Sequence, residues 1–202
     1  MSISVVRQRE FDIDEVLTTV MDLFWQRGYA NTSMKDIVQA TGIQPGSLYA
    51  AFGDKEKLFQ QAFKKYTQEF FFASIPRRCS PLEGIQAWFE YLAKVMASDP
   101  NQKGCLLINT AMERESHSAS TIAVVESRLD DIETFFRQNL TQAVQDGDLP
   151  SSFEVETKAK ALLGMAVGML AVARMRRDAK TLNSIATAAI ALFHPDYLFH
   201  PD

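Results

Sequence analysis

Apolar side chains recur at one-sided helical spacing along almost the whole chain, and nowhere does a strand-like alternation persist. In the first such run, residues 12–27, Ile13, Val16, Leu17, Val20, Met21 and Phe24 share a face. Asp12 and Glu15 have capping-box spacing at its start, and Gly28, free to take positive φ, stops it. Ser33 and Asp36 repeat the capping signal for a second helix that runs to about Ala40, before Thr41-Gly42. Pro45 suits a first helical turn because it has no N–H to leave unpaired, and it opens a third helix ending near Phe52-Gly53. Asp54 caps a fourth, read as continuing to about Ser74, with Leu58, Phe59, Ala62, Phe63, Tyr66 and Phe70 on one side. Further helical patterns lie at 82–97, 103–116, 119–146, 152–177 and 179–193, divided by Asp99-Pro100, by Gly147 to Pro150 and by a joint near Asp178. An all-α fold of about nine helices is expected.

The second and third helices are short and separated by a turn containing Gly42, the proportions of a helix-turn-helix. Met34, Ile37, Val38, Ile43, Leu48 and Phe52 suffice to lock them onto the first helix, which leaves the polar residues free to face outward. Gln44, Ser47 and Tyr49, with Thr32 or Ser33, offer amide, hydroxyl and backbone N–H groups, and Gly46 lets the backbone approach a surface closely. Such equipment fits the N-terminal part of a helix entering a major groove. The chain divides naturally into a head, residues 1–53, and a larger helical part, residues 54–202.

The run Gly46-Ser47-Leu48-Tyr49-Ala50-Ala51-Phe52-Gly53-Asp54-Lys55-Glu56 resembles the end of the DNA-binding motif of the TetR family of bacterial transcription regulators. The resemblance covers about residues 11–60, and beyond it is one of helix number and length only. It implies a dimer that binds palindromic double-stranded operator DNA and is released by a small-molecule effector held in the larger part, which also forms the dimer interface. Gln44, Pro45, Gly46 and Ser47 would then meet base edges, with Tyr49 and Lys55 on phosphates and Thr32, Ser33 and Lys35 holding the flanking backbone. Arg7 and Arg9 would add an electrostatic arm. The sequence departs from the family at Ala50 and Ala51, where relatives often carry basic or polar side chains; a methyl group can meet a thymine methyl but cannot donate a hydrogen bond. Repression is the expected outcome, with activation by the same fold, or a helical protein-interaction adaptor, as alternatives.

Composition narrows the choice. With 47% hydrophobic and 23% charged residues the chain can bury a substantial core, which argues against disorder. A net charge of −4 gives no general attraction to nucleic acid, so any DNA contact must come from a local surface. Cys79 and Cys105 lie far apart without CxxC pairing, and Arg7, Arg9 and Glu10 interrupt any signal-like apolar run, so a cytoplasmic protein with reduced thiols is expected. The apolar stretch from Ala161 to Ala173 falls short of the roughly 20 residues of a membrane span. His117, His194 and His200 have no metal-ligand spacing, no nucleophile context is recognisable, and Gly42 to Ser47 is not a phosphate loop. Neither an enzyme nor a cofactor is expected.

The middle helices are rich in bulky residues, among them Phe70, Phe71, Phe72, Trp88, Phe89, Tyr91, Met96, Leu107, Met112, Phe135 and Phe136. As a group they suggest a pocket for an apolar or aromatic molecule, with Trp88, Tyr91, Cys105, Met112 and Phe136 as candidate contacts; singly, each also reads as ordinary core. Cys105 falls at a predicted helix start, where N–H dipoles can lower a thiol pKa and favour reaction with oxidants or electrophiles, as in some TetR-like regulators. Against that, a free cysteine beside Leu106 to Ile108 is more often a buried small hydrophobe. Gly164 and Gly168 share a helix face, and Ala186, Ala189 and Ile190 supply a comparable one later. The last two long helices are therefore read as an isologous four-helix interface between two copies, with close packing inside one subunit as the alternative. Such a dimer sets its recognition helices roughly 34–36 Å apart, one DNA turn.

Overall fold

The structure, a computed structural model, describes residues 11–71, 79–176 and 178–194; among them are nine α-helices and no strand. The helices are α1 (Ile13–Arg27), α2 (Met34–Thr41), α3 (Pro45–Phe52), α4 (Lys55–Tyr66), α5 (Pro81–Ser98), α6 (Leu106–Met112), α7 (Ala119–Asp146), α8 (Val155–Met175) and α9 (Ala179–Ile190). The expected α-helix ending near Ser74 gives way at Thr67 to a wider π-helical turn reaching Phe71. The pattern at 103–116 yields only seven α-helical residues and a 3₁₀ turn at Arg114–Ser116. Arg7, Arg9 and Phe72, and the side chains of Phe70 and Phe71, lie outside what the structure describes.

Local chemistry explains the boundaries. Asp12 accepts from the N–H groups of Asp14 and Glu15, Ser33 and Asp36 form a reciprocal capping box, and Asp54 accepts from the N–H of Lys57. α1 ends on Gly28 at φ +82° and ψ 163°, a backbone region open to glycine alone.

The head forms around α1. Val20 and Phe24 meet Ile37 of α2, Leu48 and Phe52 of α3, and Phe59 and Phe63 of α4 in one core, all of them at most 3% exposed. The Phe59 ring meets Phe24 edge-on at 5.0 Å. Ile13, expected on this buried stripe, is instead 56% exposed. In the larger part α5 packs against α9 and α7, and α7 against α8. Phe89 and Phe136 stack at 5.6 Å with Trp88 edge-on to both. The short α6 lies between α4 on one side and α7 and α8 on the other.

Candidate functional site

The start of α3 carries the exposed polar edge of the head. Leu48 and Phe52 anchor the helix inward, so the opposite side is presented outward by helical geometry. Gln44, Pro45, Gly46, Tyr49, Ala50 and Ala51 are exposed and Ser47 is half-buried. A Cβ added at Gly46 would meet nothing within 4 Å, leaving room for an incoming surface. From α2, Ser33 and Lys35 are exposed as well.

Two members of the expected set turn inward. Thr32 is 1% exposed and its hydroxyl donates to the Gly28 carbonyl at 2.7 Å, so it shapes the turn and cannot reach a phosphate in this structure. Lys55 is half-buried with its ammonium 4.0 Å from the Tyr29 ring centroid, and burial pulls its pKa down against the charges of Glu113 and Glu56. Ser33 keeps its side chain in the capping box with Asp36, which leaves it exposed but already engaged.

The acidic groups of the head are largely occupied. Asp14 pairs with Lys65 at 2.7 Å, Asp22 with Lys103 at 3.1 Å and Asp36 with Arg27 at 3.2 Å, while Asp12 and Asp54 serve as helix caps. These pairs consume cations as well as carboxylates, with Lys65 shared between Asp14 and Glu69, so attraction to phosphate has to come from the local donors of α3.

Head and body meet in a joint that the sequence did not reveal. The Glu113 carboxylate, just past α6, accepts from the Tyr29 N–H at 2.9 Å and the Ala30 N–H at 3.3 Å. Glu56 of α4 accepts from the hydroxyls of Ser118 and Thr121, each at 2.6 Å. Burial alone would raise the Glu56 pKa, but the hydroxyls of Ser118, Thr121 and Tyr29 and the Ser118 N–H outweigh it and hold the carboxyl at about 2. Burial, reinforced by Glu56, pushes the Tyr29 phenol far up. His117 packs between Tyr29 and Phe59, and burial lowers its pKa.

A cavity with a volume of about 120 Å³ is bounded by α1, α4, α5, α6, α7 and α8. Trp88, Tyr91 and Cys105 line it, with Trp25, Met96 and Arg128 among their neighbours. Two other expectations fail: Met112 is 70% exposed and Phe136 is sealed in the ring cluster behind Trp88, and neither lines the cavity. The Cys105 thiol follows the buried-hydrophobe reading and not the reactive one, since burial raises its pKa despite hydrogen bonds from Tyr66 and the backbone. The Tyr66 hydroxyl lies 3.3 Å from its sulfur. A reactive thiolate is disfavoured there. Cys79 is exposed, and the described residues hold no cluster of three or more potential metal ligands.

On the far side of the body Gly164 and Gly168 are exposed, with nothing of the same chain within 4 Å of where a Cβ would stand. Met165, Gly168, Val172, Ile185 and Ala188 line an open groove between α8 and α9. Ala186, Ala189 and Ile190 do not belong to this face: they are at most 4% exposed and pack into their own subunit, where α9 meets α5.

A helix-turn-helix head joined by one helix to a larger all-helical body is an architecture of DNA-binding proteins. Residues 16–62 match the family model for bacterial regulatory proteins of the tetR family, and residues 81–189 that for the tetracyclin repressor-like C-terminal domain. The chain belongs to the TetR family of transcription regulators, which are not enzymes. It is 29% identical over 191 residues to the transcriptional repressor ComR of Escherichia coli K12, covering 93% of this chain and 91% of that one. It is 26% identical over 190 residues to the regulator YezE of Bacillus subtilis 168, covering 92% and 98%. The regulator CifR, solved as a cysteine mutant with a 26-bp operator duplex, superposes with a TM-score of 0.79 at 28% identity, covering 91% of this chain and 97% of CifR. No described helix is long and apolar enough to cross a membrane.

Proposed function

We propose that this regulator is a cytoplasmic repressor that binds a palindromic operator as a homodimer and lets go when a small molecule fills the cavity beside α6. Residues 1–53 act as the reading head and residues 54–202 as the effector and dimer part. Gln44, Pro45, Gly46 and Ser47 meet base edges, Tyr49 meets a phosphate, and Ser33 and Lys35 steady the flanking strand. α8 and α9 pair with their copies across the two-fold axis. An effector that fits best with the heads differently spaced drains the DNA-binding population.

The outward polar edge of α3 carries this reading: Tyr49 is half exposed directly beside Leu48, which is fully buried. ComR bears the name of a repressor and CifR was solved on operator DNA, which supports the same direction. The test is a mobility shift with DNA from beside the protein's own gene. Binding should fall steeply with added salt, and Tyr49→Ala should weaken it about tenfold without altering thermal unfolding. Equal binding by parent and variant removes the contact assignment, and absence of any shift removes the regulator reading.

A further inference from the structure

We infer that the effector is a small organic carboxylate, an apolar body of about one ring whose anionic head is taken by Arg128. This rests on the cavity being the effector site. Among the described lining residues Arg128 is the one charged side chain; the other liners it has to be weighed against are apolar, aromatic or already hydrogen-bonded. The Trp25 indole N–H donates to the Gly104 carbonyl at 3.0 Å, the Tyr66 hydroxyl to Cys105, and the Thr67 hydroxyl to the Lys64 carbonyl at 2.9 Å.

Arg128 stands one turn before Ile132 on α7, and both line the cavity, so the same helix face delivers a cation and a branched apolar wall. One guanidinium nitrogen bonds the Asp131 carboxylate at 2.8 Å, towards the side where Asp131 is 44% exposed. The Nε is buried and has no partner. A guanidinium carries five N–H donors, so a single bond to Asp131 leaves most of its capacity unused. A purely apolar guest would leave Nε unsatisfied, whereas a carboxylate oxygen would satisfy it with a charge-assisted bond.

Size and charge set the class. A cavity of about 120 Å³ is of the same order as one of about 150 Å³ that accepts benzene. A benzoate, a phenylacetate or a short-chain fatty acid fits that scale. A phosphate ester would bring about two charges to one arginine already shared with Asp131, and is disfavoured.

The experiment titrates the full-length protein with benzoate, phenylacetate and hexanoate and with their neutral amides, following tryptophan fluorescence, since Trp25 and Trp88 both line the cavity. At least one carboxylate should bind about tenfold or more tightly than its amide. Arg128→Gln should abolish that preference while retaining the parent's thermal midpoint, and Arg128→Lys should keep part of it. Matching affinities for acid and amide, an unchanged preference in Arg128→Gln, or no binding of any probe would each overturn the inference. Operator binding is measured in parallel without probe: its loss would refute the regulator reading and leave the carboxylate preference standing. Intact operator binding without carboxylate preference would refute this inference alone.

Discussion

His117 is a polar ring placed where an apolar one would serve. Its centroid lies 4.5 Å from that of Tyr29 and 4.7 Å from that of Phe59, and both ring nitrogens are buried without a hydrogen-bond partner. A buried unsatisfied polar group costs about 1–3 kcal/mol, so His117→Phe should stabilise the protein by about 1 kcal/mol and raise the thermal midpoint by about 2–4 °C. A lower midpoint would mean that the ring contributes something a phenyl group cannot. The same residue fixes a pH dependence, together with Glu56. Burial and Lys55 lower the His117 pKa while Glu56 and Glu113 oppose them, so the unfolded chain takes up this proton first. Stability should therefore fall as pH drops below 6.5, and the loss ends once the folded protein also protonates. Glu56, held at about 2 against an ordinary 4.5, adds stability that is complete above 4.5 and lost as pH falls towards 2. Thermal midpoints measured from pH 8 to pH 3 should show both declines in the parent and only the second in His117→Phe.

At the scale of elements, the turn between α1 and α2 is pinned by a residue far away in sequence. Gly28 lies where a Cβ would come within 2.2 Å of the Glu113 Oε1, and its φ of +82° already excludes other residues. Gly42, the cap of α2 at φ +68°, has open space on every side. Gly42→Ala should cost about 1 kcal/mol through backbone strain alone, and Gly28→Ala about 3 kcal/mol, because strain and collision add. Urea denaturation distinguishes the two; equal losses would mean that neither the Gly28 backbone nor Glu113 resists the added methyl group. Glu113→Ala should speed amide exchange at Tyr29 and Ala30, whose N–H groups lose their acceptor.

What could be read in advance follows the same division. Caps at Asp12, Ser33 and Asp54, Pro45 at a helix start and the glycines after α1 and α2 are local signals, and the helices they delimit are legible from a few neighbouring residues. So is the edge from Gln44 to Tyr49, because Leu48 and Phe52 identify the opposite face. Thr32 and Lys55 misled because a hydroxyl and an ammonium look available until their partners, Gly28 and Tyr29, are known. The Glu113 contact with Tyr29 spans 84 positions, and no spacing rule reaches that far. Met112 and Phe136 show the limit for cavities: bulk identifies a core, but only the packing of six helices decides which bulky side chains border an empty space.

At the scale of the whole molecule, the geometry of α8 argues for a second copy. Gly164 and Gly168 stand exposed on α8, whose Leu162, Ala166 and Met169 are buried in their own subunit, and glycine inside a helix costs about 1 kcal/mol relative to alanine. Neither glycine relieves any contact within the chain. Both make sense where another helix must approach closely, and the adjoining groove of Met165, Val172, Ile185 and Ala188 supplies apolar surface for it. Gly168→Arg should therefore yield a monomer by sedimentation with undiminished helical circular dichroism, since arginine is the better helix former and a Cβ at this position meets nothing within 4 Å. With one head instead of two, affinity for a palindromic operator should drop about a hundredfold or more, while affinity for a half-site should stay near that of a single parent head. A Gly168→Arg protein that remains dimeric would move the two-fold axis away from this face of α8, and with it the spacing of the two α3 helices on DNA.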